Sequence, residues 1–295
     1  MTAKLKLTAM QKQPKYRFYA TLLDTYMNYV ESDTIWEKYW GWSDDPPHTP
    51  EVFRQQQFQQ LIDRINRVPF DSEPADKGTA FNEVIDCMVE HRKSDKVKME
   101  RIVEPEVVTQ VIGQVDNCDP DERWADVEII DNPNAGKLIG VRAHYNNRVF
   151  EFDIKLCREF AEYFKGALTQ QFVSAILPTA YGDVEVYGFI DELKALSVHD
   201  IKTTKDYSVG KFKSNSQHLV YPYCLYKDGS GIRLFEYNVA EINKYGKWQT
   251  FTESYLFVPE RDIPILTARC EGLIRFLEEN RHLITDKKIF NLQAA

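Results

Sequence analysis

Residues Asp191 to Lys205 read DELKALSVHDIKTTK and place several charges within sequence that has strand character. Asp191 ends one apolar run with strand character, and Asp200 and Lys202 stand two residues apart within the next. Because side chains alternate between the faces of a strand, Asp200 and Lys202 point the same way. If the two strands are neighbours, we expect two carboxylates and one ammonium group to converge in the sheet.

Such a cluster of charges needs a partner in a folded protein. Two carboxylates within a few ångströms repel each other, and burial adds a desolvation cost. Mg²⁺ and Mn²⁺ relieve both effects because they prefer hard oxygen ligands, and they polarise phosphates and lower the pKa of bound water. Lys202 would then orient that water or stabilise charge on the phosphate. Taken alone, the triplet is explained at least as well by a salt bridge at strand ends.

Composition sets the broad class of the chain. Its 295 residues, 43% hydrophobic and 28% charged, are typical of a soluble globular protein with a sizeable core. No run of about 18 apolar residues occurs, so we expect no membrane span. The net charge of −8 argues against a uniformly basic surface, although a local basic patch includes Lys202, Lys205, Lys211 and Lys213.

The cysteines and the amino terminus bear on location. The five cysteines are far apart and odd in number, which argues against a zinc ribbon, an iron–sulfur cluster and a disulfide framework. Residues 1–15 contain lysines without an apolar core, so we read no secretory signal there. We therefore expect buried free thiols and a cytoplasmic location.

The pattern along the chain predicts helices first and then a sheet with helices. We expect one central mixed sheet of the α/β or α+β class, a helical N-terminal extension over 1–70 packed on the core, and a main domain over 71–295. Asn146-Asn147 reads as a hairpin turn, and 115–126 as an acidic loop. The predicted helices cover 15–32, 50–68, Thr79 (as N-cap) to Arg92, 103–113, 155–168, 214–229 and a long C-terminal 260–284.

Four short motifs in this order resemble the PD-(D/E)XK nuclease superfamily, in its RecB-like and phage exonuclease branch. They are GTAFNEVID at 78–86, GFID ending at Asp191, HDIKTT with Asp200 and Lys202, and QHLVY with Gln217 and Tyr221. Each motif is weak, but the ordered set is fairly specific and covers about half of the chain. The resemblance implies a restriction-endonuclease-like core.

The resemblance also implies a role for each matching residue. Asp191 and Asp200 would be metal ligands, with the Ile201 carbonyl as a third, and Lys202 would be the catalytic lysine. Gln217 and Tyr221 lie one helical turn apart, so both can face the site, where they would position the lysine and the DNA strand. The alternative for this pair is a polar residue at a helix start followed by a core tyrosine.

One position departs from the family pattern. Many RecB-like nucleases carry a histidine ligand where this sequence has Asn82, whose amide offers a carbonyl oxygen to a metal or a contact to substrate. Glu83 is the first choice for the missing ligand and Asp86 the second, unless these acids face solvent or a basic neighbour. Glu185, upstream on the strand of Asp191, is a further candidate acid.

The resemblance implies a Mg²⁺- or Mn²⁺-dependent deoxyribonuclease without an iron–sulfur cluster. It would be an exonuclease on linear DNA in phage or recombination and repair metabolism, with Lys205, Lys211 and Lys213 drawing in the DNA unless they form a solvated loop. A strand-annealing recombination partner and a homo-oligomer are compatible with it. The alternative is a catalytically silent nuclease fold that binds DNA or protein.

Overall fold

The structure is a computed structural model that describes residues 14–111 and 127–291. The predicted acidic loop, the amino-terminal residues read for a signal, and Cys118 lie outside the described residues, apart from residues 14 and 15. The strands are β1 (Tyr16–Tyr19), β2 (Lys98–Val103), β3 (Val107–Val111), β4 (Val127–Asp131), β5 (Leu138–Tyr145), β6 (Arg148–Asp153), β7 (Leu168–Leu177), β8 (Val184–Leu193), β9 (Ser197–Thr204), β10 (Leu234–Ile242) and β11 (Trp248–Leu256). The α-helices are α1 (Ala20–Val30), α2 (Ser32–Trp40), α3 (Pro50–Ile65), α4 (Glu73–Val89), α5 (Ile154–Tyr163), α6 (Gln217–Lys227) and α7 (Pro259–Glu279), followed by 3₁₀ turns at Arg281–Leu283 and Lys287–Phe290.

A six-stranded sheet forms the centre of the molecule, with the order β1-β8-β9-β10-β11 and β7 paired to β8. β1–β8 and β9–β10 are parallel, and the other pairs are antiparallel. β7 pairs with β8 along nearly its whole length, so β1 and β9 share the other edge of β8. β1 pairs with the first four residues of β8, and β9 pairs with only the last two. Residues 188–191 of β8 therefore have no strand partner on that edge.

The two faces of the central sheet carry separate apolar cores. The alternation of β10 shows the division, because Phe235, Tyr237 and Val239 join the core with α1, α3, α6 and α7, whereas Ala240 and Ile242 join the core with α4 and α5. These six helices thus cover the two faces of the sheet with their apolar sides, whereas α2 packs against α1 and α3. The sheet is therefore mixed and flanked by helices, which confirms the predicted α+β class.

The described residues also form two smaller sheets that are not hydrogen-bonded to the central one, so the expectation of one sheet was wrong. The predicted hairpin at Asn146-Asn147 is present, with φ of 49° and 61° at these residues, as a type I′ turn requires. Its strands β5 and β6 join β2 in a three-stranded sheet, and β3 pairs with β4 in a two-stranded one.

Three predicted helix boundaries were also wrong. Residues 107–111, expected in a helix, form β3, where the β-branched Val107 and Val108 suit a strand. The segment Tyr16–Tyr19, read as the start of the first helix, pairs with β8 as β1. The N-terminal segment thus contributes to the central sheet, and the boundary at residue 70 stays a prediction.

Helix α4 also starts earlier than predicted. Ser72, rather than Thr79, is the N-cap, and its hydroxyl accepts a hydrogen bond from the Ala75 amide at 3.4 Å. Thr79 lies about two turns inside the helix, where its hydroxyl donates to the Ala75 carbonyl at 3.0 Å. Pro74 in the first turn marks the true start, since proline is tolerated there.

Within residues 14–111 and 127–291, no helix is both long and apolar enough to cross a membrane. Cys87, Cys157, Cys224 and Cys270 are free and buried. The cytoplasmic location stays a prediction.

Candidate active site

The candidate site lies where β8 and β9 separate. Their last paired residues are Glu192 and His199, and beyond this pair the Asp191 carboxylate takes the place of a backbone acceptor. Asp191 Oδ2 accepts a hydrogen bond from the Ile201 amide at 2.9 Å and another from Asn82 Nδ2 of α4 at 3.1 Å. Asp191 therefore connects β8, β9 and α4 at one point.

Asp200, Lys202 and Gln217 form the second part of the site. Lys202 Nζ lies 2.6 Å from Asp200 Oδ2 and donates a hydrogen bond to Gln217 Oε1 at 2.8 Å. The Gln217 amide nitrogen donates to Asp200 Oδ1, so one side chain from the start of α6 holds both ionic groups. Asp200, Lys202 and Gln217, each a predicted site residue, are thus brought together in the structure.

Tyr221 packs behind Gln217, and a glycine makes room for it. Tyr221 is 5% exposed, and its hydroxyl oxygen lies 3.5 Å from Gln217 Nε2. A β-carbon on Gly188 of β8 would lie 2.5 Å from Tyr221 Cε1 and 3.1 Å from its hydroxyl oxygen. Gly188 therefore lets α6 approach β8 closely enough to support Gln217.

The close approach predicts a loss of stability for Gly188→Ala. The new methyl group overlaps a buried ring, so we expect the free energy of unfolding to fall by about 1–3 kcal/mol in urea titrations. Gly231→Ala is the matched control, because nothing lies within 4 Å of its β-carbon position. Equal unfolding midpoints for the two variants would contradict this packing.

The charged groups of the site shift one another's pKa values. Burial, followed by repulsion from Asp200, raises the pKa of Asp191 to about 8. Burial also raises the pKa of Asp200, although Lys202 and Gln217 oppose it. For Lys202 burial favours the neutral amine, but the negative charges of Asp200, Asp191 and Asp24 outweigh it and raise the pKa. The two carboxylates thus share one ammonium group, which does not neutralise both.

Sequence reasoning missed a second layer behind Gln217. Asp24 of α1 accepts a hydrogen bond from the Ser216 amide, and Arg269 of α7 donates to the Ser216 hydroxyl at 2.7 Å. Burial raises the pKa of Asp24 to about 6, against the hydrogen bonds from Ser216 and the charges of Lys202 and Arg269. The only sequence signal was an acid beside the buried residues Leu22 and Leu23.

On α4, the residue that contacts the site is Asn82. Its amide nitrogen binds Asp191, and its Oδ1 atom is buried without a hydrogen-bond partner within the described residues. Glu83 instead accepts a hydrogen bond from Arg92 at 2.6 Å and lies 4.0 Å from Lys96. Burial favours a higher pKa for Glu83, but hydrogen bonds from Arg92 and Ser94 lower it. Glu83 is therefore paired with a basic neighbour, as its alternative interpretation anticipated.

Asp86 faces another acid that the sequence analysis did not single out. Glu192 is fully buried, and burial and then the charges of Asp86 and Asp191 raise its pKa to about 9. Burial raises the pKa of Asp86 to about 6, although a hydrogen bond that it accepts from Gln170 favours a lower pKa. Neither Asp86 nor Glu192 makes a hydrogen bond to Asp191, unlike Asn82 and Ile201. The two acids therefore form a separate pair beside the site.

The remaining candidates are spread around the site. Lys205 lines a cleft of about 270 Å³ beside the start of α4, and Lys213 lines another of about 390 Å³ beside α7. Lys211 folds back onto its own loop and donates to the Thr204 hydroxyl at 2.8 Å. Glu185 pairs with Arg17 at 2.8 Å, away from Asp191.

The donor set suits a hard divalent cation. Asp191 and Asp200 supply carboxylate oxygens, and Asn82 Oδ1 is a buried oxygen that lacks a partner within the described residues. In the same part of the chain, no three His, Cys, Asp or Glu side chains group as a ready-made metal cluster. Two carboxylates and one amide oxygen would leave several coordination positions for water, as Mg²⁺ requires.

Comparison with known proteins adds little. No family model matches the chain, and no curated protein is significantly similar to it. A solved structure titled "Crystal structure of SSO0001" shares 12% identity over 42% of this chain and 56% of that one, with a TM-score of 0.29. A similarity this weak does not bear on function.

Proposed function

We propose that this protein is a Mg²⁺- or Mn²⁺-dependent deoxyribonuclease of the PD-(D/E)XK type that degrades linear DNA from its ends. The observation that carries the proposal is the convergence of Asp191, Asp200 and Lys202, the latter two held by Gln217, at a gap between two strands. These residues come from β8, β9 and α6, in the order that the family motifs have in the sequence.

Asp191, Asp200, the Asn82 amide oxygen and the Ile201 carbonyl would hold the cation. When bound, the cation polarises the phosphate and lowers the pKa of a bound water. Lys202 is held in place by Gln217 and carries its proton at neutral pH, so it stabilises negative charge that develops on the phosphate. Gln217 fixes Asp200 and Lys202 relative to each other, and Tyr221 keeps Gln217 in position.

DNA is the proposed substrate, and basic side chains on either side of the site would meet its backbone. Lys77 and Lys205 line the cleft beside α4, and Lys213, Arg261 and Arg269 line the cleft beside α7. With a net charge of −8, the protein must attract DNA through such local patches, so binding should weaken steeply with salt. A strand-annealing partner and a homo-oligomer stay predictions from the resemblance.

The direct test incubates purified protein with end-labelled linear duplex DNA and with circular DNA, in Mn²⁺ and in EDTA. We expect the linear DNA to be degraded only with Mn²⁺ and the circle to persist. Degradation of the circle would remove the exonuclease part of the proposal. Persistence of both DNAs at millimolar Mn²⁺ would contradict a nuclease and favour the silent DNA- or protein-binding fold.

A second prediction separates the two neighbouring candidates on α4. Asn82→Ala removes the unpartnered oxygen beside Asp191, so we expect affinity for Mn²⁺ to fall by about 10- to 100-fold. Glu83→Gln alters a group that is bound to Arg92 and should leave that affinity within about twofold. Isothermal titration calorimetry measures both. The reverse order of effects would restore Glu83 as the ligand from α4.

A further inference from the structure

One face of the central sheet carries exposed aromatic rings beside the candidate site. Phe172 of β7 and Phe189 of β8 stand directly opposite each other, with ring centroids 5.2 Å apart and exposures of 50% and 54%. Tyr187 lies diagonally across, 6.3 Å from Phe172. We call Phe172, Tyr187 and Phe189 the aromatic face.

The alternation of β8 explains why this face is open. Val184, Val186 and Ile190 point into the core beneath α6, so Tyr187 and Phe189 must point to the opposite side. β7 is an edge strand that pairs only with β8 within the described residues. Exposed apolar groups that lie together on a sheet face mark a candidate interaction surface.

Arginines surround one end of the aromatic face. The Arg17 guanidinium, which pairs with Glu185, lies 4.4 Å from the Tyr187 ring centroid. Arg67, which pairs with Asp286, also lies near this tyrosine. The positive charge of Arg64 lies near Tyr19, and Arg64 makes no ion pair within the described part of the chain. Aromatic rings flanked by cations are typical of surfaces that bind a single nucleic-acid strand, because bases stack and phosphates meet the cations.

The other end of the aromatic face meets the candidate site. Phe189 precedes Asp191 by two residues on β8, which corresponds to about 7 Å along a strand. Gln170 of β7 lies across from Asp191, and its φ of 49° is rare for a residue other than glycine. The sheet is thus locally distorted where the aromatic face joins the site, as is common beside functional residues.

We propose that the aromatic face binds unpaired bases of a single nucleic-acid strand, which stack on Phe172 and Phe189 while its backbone runs between the arginines and Asp191. The direction of that strand rests on the proposed function, in which the phosphate to be cleaved lies at Asp191. A substrate whose end has separated into single strands therefore binds more tightly than a blunt duplex.

Fluorescence anisotropy tests this with labelled oligothymidylate, without divalent metal and in an Asp200→Asn background. We expect Phe172→Ala and Phe189→Ala each to weaken binding by about fivefold or more, which is the effect of losing one stacked base. An abasic oligonucleotide of the same length lacks the bases, so it should bind the parent and both variants alike. Tyr245→Ala is the matched control, because this tyrosine is 76% exposed in the turn between β10 and β11.

The outcomes distinguish this inference from the nuclease proposal. If Phe172→Ala and Phe189→Ala bind oligothymidylate as tightly as the parent does, the aromatic face does not bind bases. It also fails if light scattering shows a dimer that Phe172→Ala dissociates, since a second copy then covers the face. If binding depends on both phenylalanines but the wild-type protein cleaves no DNA, the inference stands and the nuclease proposal fails.

Discussion

Asp200→Asn should reduce the rate of DNA cleavage by about a thousandfold or more. Asp200 is proposed as a metal ligand, and its carboxylate also fixes Lys202 and Gln217. A bound cation contributes several kcal/mol to transition-state stabilisation, and each 1.36 kcal/mol corresponds to a factor of about ten. Asparagine keeps an oxygen for the Gln217 amide, so the fold and DNA binding should persist. Single-turnover cleavage with Mn²⁺ measures the loss.

Glu151→Gln serves as the control for removal of one carboxylate charge. Glu151 forms an exposed ion pair with Arg142 at 2.7 Å in the outlying sheet, far in sequence from the site, so cleavage should be unchanged. Cleavage by Asp200→Asn at more than a tenth of the wild-type rate would remove Asp200 from the reaction. Loss of DNA binding together with cleavage would point to a structural role.

Asp191→Asn should stabilise the metal-free protein while removing its response to metal. The Asp191 pKa is raised to about 8, so its ionised form is disfavoured in the folded state. Asparagine keeps an oxygen for the Ile201 amide and removes the charge, and we expect a gain of about 1–2 kcal/mol. Thermal unfolding at pH 8 in EDTA measures the gain as a Tm higher by a few degrees.

The sign of the pH dependence follows from the same shift. Because the folded pKa of Asp191 lies above its ordinary value of 3.8, the wild-type protein loses stability as pH rises from about 4 towards 8. The variant should lose less over this range, and Mn²⁺ should raise the Tm of the wild type alone. A Tm for Asp191→Asn below that of the wild type at pH 8 would contradict the repulsion between the two acids.

The spacing of residues within single strands and helices was enough to predict which side chains of the candidate site share a face. Asp200 and Lys202 share a strand face, and Gln217 and Tyr221 share a helix face, so their relative positions follow from periods of 2 and 3.6 residues. The hairpin at Asn146-Asn147 was predictable for a similar reason, since these residues tolerate positive φ. Such features depend on neighbours in the sequence.

Features set by distant parts of the chain were not predictable. Tyr16–Tyr19 becomes a strand because β8, more than 160 residues later, offers a free edge for parallel pairing. Asn82 and Glu83 are adjacent on α4, and only the positions of Asp191 and Arg92 decide which one reaches the site. Periodicity alone does not provide those positions.

Calorimetric titration with Mn²⁺ tests the claim that Asp191 and Asp200 together hold one divalent cation. We predict one binding event for each wild-type chain at or below millimolar concentration, and no such event for Asp191→Asn or Asp200→Asn. Absence of binding heat from the wild type at several millimolar Mn²⁺, or unchanged binding by both variants, would contradict the claim.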